Sequence, residues 1–308
     1  MRNSFKFKTW LTHTISIFMV FSLSGCIFYE VVDVPVSTQE SPAAPPQEST
    51  PQEASSAVPL ESAAEIVPSL MPTPLVLDGN LVWKADFETG NISEIEEVGD
   101  FYFQGSGRYD VVTPHAHSGN YSVALTIDSL APTDTGSHAS YLFRTRSDLL
   151  PDDGYYYSAW YYIPQLVKPD VYWNIMQWKS TREGNTPQPM YMIDVDDSEP
   201  NKLFLYLAYL PNREDVRKFY HQKIVDVPIE QWFHIEAYYK RAQDNTGQIQ
   251  IWQDGIEIFN ITDTATVLSD NTIHWSVNSY SSGLAPAPLT LYVDDMAISK
   301  TRLGQTLD

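Results

Sequence analysis

Short runs in which apolar and polar residues alternate recur from Leu81 to Ser299, and Gly, Asn, Asp or Pro stands between them. The first are Leu81–Phe87, Tyr121–Ile127 and Tyr155–Ile163. Residues 173–179, 190–194, 203–210, 233–241, 248–252, 273–279 and 289–299 follow. Tyr, Trp, Val, Ile and Thr dominate these runs, and a period of two sends alternate side chains to opposite faces, so each is predicted to be a strand. Patterns of 3.6-residue period are nearly absent; residues 228–232 are predicted to form a single turn. No segment repeats at a fixed spacing, which argues against a propeller. Residues 75–308, about 230 in all, are enough for one large all-β sandwich. Residues 180–189 and 210–225 read as loops between its strands.

The chain changes character before that region. Arg2, Lys6 and Lys8 precede an apolar core at Ile15–Phe21, and the small residues Ser24 and Gly25 stand just before Cys26. This layout is that of a cleavable export signal. Leu23-Ser24-Gly25-Cys26 resembles the lipobox of bacterial lipoproteins. That resemblance implies a signal peptide over residues 1–25, acylation of Cys26, and an extracytoplasmic protein anchored by lipid to a bacterial membrane. More than one acyl chain would be needed, since one chain anchors only marginally. Cys26 is the only cysteine, so no intramolecular disulfide braces the fold. Residues 27–74 hold nine of the 21 prolines and no Gly, Lys or Arg. Such a composition cannot bury enough apolar surface to offset ordering, so residues 26–74 are expected to be a disordered tether. Extended at ~3.1 Å per residue, it would reach on the order of 100 Å.

The formal charge of -20 argues against binding a nucleic-acid backbone. It does not exclude an anionic substrate, because a cleft can be locally basic. There is no phosphate-binding loop, no cysteine metal motif and no Ser-His-Asp pattern. His115 and His117 flank a turn at i, i+2, and His221 and His234 stand alone.

Several local patterns together resemble the concanavalin A-like jelly roll of polysaccharide lyases of the heparin-lyase and alginate-lyase type, and of related glycan-binding modules. They are Asp86-Phe87-Glu88-Thr89-Gly90, His117-Ser118-Gly119-Asn120-Tyr121, Tyr157–Pro164, Trp232–Lys240, Gly247–Gly255 and Leu291–Ile298. Together they span most of residues 81–299. The resemblance implies a monomeric jelly-roll β-sandwich whose first and last strands pair. In such modules carboxylates from the two ends hold a structural Ca²⁺, which prefers 6–8 hard oxygens. Glu88, Gly90, Ser118, Asn120 and Asp295 are the matching positions; the alternative is strand-end carboxylates in solvent or paired with Lys84.

The same resemblance implies β-elimination on an acidic, uronate-containing polysaccharide. That reaction needs a group to neutralise the carboxylate, a base for the C5 proton and an acid for the leaving oxygen. Arg144-Thr145-Arg146 resembles the first catalytic strand, with Arg144 and Arg146 on one face. Gln177-Trp178-Lys179 resembles the second, with Lys179 where the family carries His. Tyr280 occupies the place of the catalytic tyrosine on the penultimate strand, after Asn278. The expected roles are Arg146 and Gln177 as neutralisers, Tyr280 as base and acid with Lys179 beside it, and Arg144, Trp173, Tyr191 and Asn278 as substrate contacts. Period two puts Trp173 on the face of Gln177 and Lys179. Two rivals stay open: a non-catalytic glycan-binding lipoprotein, which the missing His supports, and a structural surface protein. Asp194-Val195-Asp196-Asp197-Ser198-Glu199 resembles the acidic strand of laminarinase-like glycosidases, but its first Asp is one methylene short. Retaining hydrolysis needs carboxyls only ~5–5.5 Å apart.

Overall fold

The computed structural model describes residues 29–33, 80–96, 101–104, 106–128, 138–146, 154–181, 187–210, 217–267 and 273–304. β1 (Tyr29–Asp33) and β2 (Leu81–Ala85) precede α1 (Ser93–Glu96), a single helical turn. Next come β3 (Phe101–Gln104), β4 (Gly107–Val112), β5 (Ser122–Ile127), β6 (His138–Arg146) and β7 (Gly154–Tyr162). β8 (Lys168–Pro169), β9 (Trp173–Thr181), β10 (Pro187–Glu199), β11 (Lys202–Leu210) and β12 (Arg217–Val227) follow. The chain continues through β13 (Trp232–Lys240), β14 (Gly247–Gln253), β15 (Ile256–Thr264), β16 (Ile273–Ser281), β17 (Leu284–Ala285) and β18 (Leu289–Ser299).

These strands build the jelly-roll β-sandwich expected from the sequence. The first sheet runs β1-β12-β11-β10-β9-β16-β6-β3, and the second runs β15-β14-β13-β7-β18-β5-β4. β2 pairs with β18, Met296 opposite Ala85, so the first and last strands of the domain do meet. One face of each sheet supplies the core: Trp178, Trp275, Tyr191, Ile193 and Val277 from the first, Tyr157, Tyr239, Phe233, Ile235 and Val293 from the second. Trp178 stacks on Tyr239 at 5.4 Å between ring centroids, and Tyr157 meets Trp178 edge-on at 5.8 Å. Each apolar side chain buried in this way stabilises the fold by about 1.5–3 kcal/mol. Alternation then sends the even-numbered residues of β10 and β16 to the outer face of the first sheet.

Two segments differ from expectation. Arg217–Val227, read as largely loop, is a long strand opposite β11. Its charged residues mask the alternation of Phe219 and His221, and the β11 ladder supplies the hydrogen bonds that hold it extended. Tyr29–Asp33, placed within the tether, is β1, parallel to β12 with Tyr29 opposite Arg217. The β-branched pair Val31-Val32 suits a strand, and the open edge of β12 offers unpaired backbone groups. Cys26, the segment before it and the rest of residues 26–74 lie outside the described residues.

Candidate active site

The outer face of the first sheet carries a strip of buried polar groups. Gln177 on β9 donates from Nε2 to Ser276 Oγ on β16 at 2.9 Å, and Ser276 donates to Asn278 Oδ1 at 2.9 Å. Asn278 Nδ2 reaches Asn174 Oδ1 at 2.5 Å, and Asn174 Nδ2 donates to Asp194 Oδ1 on β10 at 2.7 Å. Asp194 also accepts from Tyr206 on β11. All of these side chains are buried. Burial pushes the Asp194 carboxyl up to about 6, against the hydrogen bonds of Asn174 and Tyr206. A chain of six side chains thus ties four strands together beneath the surface.

Ionisable groups border the strip at both ends. At one end Lys179 pairs in register with His274, and both are half-buried. Burial lowers the Lys179 ammonium from 10.5 to about 8. At the other end Tyr280 sits opposite Asn174, with Tyr172 5.2 Å away between ring centroids. Tyr206 stacks on His221 at 5.1 Å, and His221 Nδ1 lies 3.3 Å from Asp196 Oδ2. Burial raises the Asp196 carboxyl, but the hydrogen bonds of His221 and Ser198 outweigh it, so it ends below its ordinary range. Beside the strip lies an apolar shelf in which Met190, Met192 and Phe219 pack on Tyr206, Ala208 and Leu210.

This arrangement gathers some of the expected residues and separates others. Gln177, Lys179, Asn278 and Tyr280 belong to the outer face. Asn278 is fully buried, with its amide committed to Asn174, so it supports the floor from below. Lys179 and Tyr280 do not meet. Lys179 lies opposite His274, six residues along β16 from Tyr280, which is ~20 Å at 3.3 Å per residue. Trp173 does not share the outer face. The register of β9 shifts between Asn174 and Met176 against both neighbours, and this bulge turns Trp173 inward. There it is fully buried, its indole N–H donating to Ser279 Oγ at 3.1 Å, so it offers no stacking face. Tyr191 also points inward: it pairs with Trp178, stacks on Tyr209 at 4.4 Å and hydrogen-bonds Thr264. Arg144 and Arg146 take register positions opposite Trp275 and Ile273. Those rows alternate with the rows of Gln177 and Lys179. Asn174, Tyr172, Tyr206 and His274 are groups of the site that the sequence did not suggest, and of these His274 is the ionisable neighbour of Lys179. Only its register against Lys179, set by strands almost a hundred residues apart, brings it there.

The acidic strand does not form a hydrolytic pair. Asp194 is buried in the polar strip, Asp196 holds His221, and Glu199 pairs with Lys223 at 2.8 Å. At the far side of the second sheet, Glu88 accepts from the backbone N–H of Asn120 at 2.8 Å and of Tyr121 at 2.9 Å. Asp295 accepts from Ser118 Oγ at 3.0 Å and lies 2.6 Å from His117 Nδ1. Burial and the adjacent Asp295 push Asp294 up to about 8. Gly90 abuts the Tyr121 ring. The two carboxylates therefore grip the 117–121 turn by hydrogen bonds. Among the described residues no three His, Cys, Asp or Glu side chains are grouped so as to hold a metal ion.

Comparison with known proteins agrees with this architecture. No curated protein sequence matches the chain. Among solved structures, an endo-β-1,4-glucuronan lyase from the fungus Trichoderma reesei superposes with a TM-score of 0.56 at 18% identity. The match covers 72% of this chain and 96% of that one. A marine alginate lyase from Aplysia kurodai superposes with a TM-score of 0.51 at 11% identity, covering 71% of this chain and 98% of its own. At these identities the likeness is one of fold. A polysaccharide lyase family profile matches residues 87–297, which include the polar strip and both ends that border it. The chain belongs to the polysaccharide lyase family.

Proposed function

We propose that the protein cleaves a uronate-containing polysaccharide by β-elimination on the outer face of the first sheet. The observation that carries this reading is the placement of Gln177 and Lys179 two residues apart on one face, with one N–H of the buried Gln177 amide given to Ser276 and the second left for a sugar carboxylate. An amide and an ammonium ~6.7 Å apart suit the carboxylate and the leaving oxygen of one sugar, respectively. Neutralising that carboxylate makes the neighbouring C5 proton removable. Family membership supports the lyase class, and the fold is shared with a glucuronan lyase and an alginate lyase. The rings of Tyr280 and Tyr172 and the apolar shelf supply surfaces for further sugars.

The test is the full-length protein incubated with polyglucuronate, alginate and glycosaminoglycans, following absorbance near ~235 nm, where the unsaturated uronate of β-elimination absorbs. A rise that Gln177→Ala reduces at least tenfold is expected. Retention of a polymer on an affinity gel with no rise would make this a binding protein, the reading favoured by Lys179 in the place of the family's histidine. Export and lipid attachment at Cys26 belong to the same proposal, on the strength of the N-terminal pattern. Mass spectrometry of the membrane-extracted protein tests it: a mature chain that keeps Met1 or lacks acyl chains on Cys26 would sink the anchor.

A further inference from the structure

His274 takes no part in neutralising the carboxylate, although its register beside Lys179 places it to complete the chemistry. Lys179 pairs with His274, and two residues along the same strands Gln177 pairs with Ser276. Cross-strand Cβ atoms lie ~5 Å apart and successive rows ~6.7 Å apart, so the four side chains form a block about the size of one sugar ring. Two of them are fixed by the Gln177–Ser276 hydrogen bond, and two are ionisable. From the next strands the block is faced by Met190 on β10 and by the register position of Thr145 on β6, neither of which titrates.

Resting on the β-elimination reading, we propose that His274 is the base and Lys179 the acid, so that the imidazole missing from β9 is supplied by the neighbouring strand. The neutral imidazole takes the proton from C5, alpha to the carboxylate that Gln177 contacts. The C5–H electron pair becomes the C4=C5 double bond, and the C4–O bond breaks. The leaving oxygen takes a proton from the Lys179 ammonium, and the imidazolium returns a proton to the lysine to close the cycle. No other reactant is consumed.

Imidazole is the side chain most often used as a general base near neutrality. An ammonium lowered to about 8 is still protonated there, yet gives its proton up far more readily than an ordinary lysine. Both side chains are half-buried, so they are open to substrate while shielded from bulk water. Tyr280, ~20 Å along β16, cannot reach the bond that Lys179 reaches.

The experiment compares the full-length protein with His274→Ala, His274→Gln and Lys179→Ala on polyglucuronate and alginate, by absorbance near ~235 nm. His274→Ala and His274→Gln are expected to lower kcat by ~10²–10⁴ with little change in KM. Added imidazole restores part of the activity of His274→Ala, a response that a folding defect would not give. Lys179→Ala is expected to remove the alkaline limb of the pH–rate profile. The assignment is overturned if His274→Ala stays within about threefold of the unaltered protein, if imidazole restores nothing, or if Tyr280→Phe abolishes turnover while His274→Gln does not. Absence of absorbance with the unaltered protein on every polymer overturns the β-elimination reading itself.

Discussion

Asp194→Asn isolates the cost of holding a charge beneath the candidate site. The carboxyl is 3% exposed, and burial moves it from its ordinary 3.8 to about 6. At about 1.4 kcal/mol per pH unit, that displacement corresponds to about 3 kcal/mol. The sign follows from proton binding. Between pH 4 and 6 the folded protein holds a proton on Asp194 that the unfolded chain has released, so this group's contribution to stability falls as pH rises. Below pH 4 both states are protonated and the group contributes no pH dependence. Above pH 6 the whole penalty is present. Asparagine still offers Asn174 an oxygen and does not titrate. The stability of Asp194→Asn relative to the unaltered protein is therefore expected to climb by about 3 kcal/mol between pH 4 and pH 7.5. For a domain of this size that is ~6–12 °C in Tm. Urea unfolding at four pH values across that range reads it, and any constant effect of the amide cancels in the comparison. A difference that stays flat with pH, or falls, would refute the buried-charge reasoning.

Three further outcomes test other parts of the structure. Gly119 has φ +59°, and a Cβ there would lie 2.3 Å from the Glu88 carboxyl carbon, so Gly119→Ala is expected to cost ~2–4 kcal/mol by urea midpoint. A cost under ~0.5 kcal/mol would mean that the turn is not gripped by Glu88. Trp173→Ala removes a fully buried indole and should cost ~3–5 kcal/mol; a raised KM at unchanged stability would return Trp173 to the substrate side. Because Glu88 and Asp295 are committed to N–H and O–H donors, Ca²⁺ or a chelator should move Tm by less than ~1 °C. A rise above ~3 °C with Ca²⁺ would show that the turn opens to take the ion.

The strands were legible where alternation was clean. Trp232–Lys240 reads directly because its apolar residues alternate with polar ones, and Tyr155–Ile163 because it is a nearly continuous run of strand-forming aromatic residues; both strands lie inside a sheet. Arg217–Val227 did not, since the charges of an edge-proximal strand hide its period. The site was harder for a different reason. Gln177 and Lys179 follow a local motif, so their shared face could be read from spacing alone. Trp173, on the same strand, is expected on that face and lies on the other, because a bulge inverts every side chain beyond it and no residue nearby announces one. The neighbour of Lys179 is set by a register between β9 and β16, a non-local quantity that spacing within either strand leaves undetermined. The expectation that Tyr280 lies beside Lys179 failed on that register.

β18 pairs with β5, β7 and β2, and all three precede it by more than 120 residues. The second sheet is therefore divided until its middle strand arrives: β13, β14, β15 and β7 on one side, β5 and β4 on the other. No local hairpin can join the two parts. A chain emerging from its N-terminal side must stay without a finished core until Leu289–Ser299 is available. The fold is assembled last at its centre, and its slow step is expected to be the insertion of that strand.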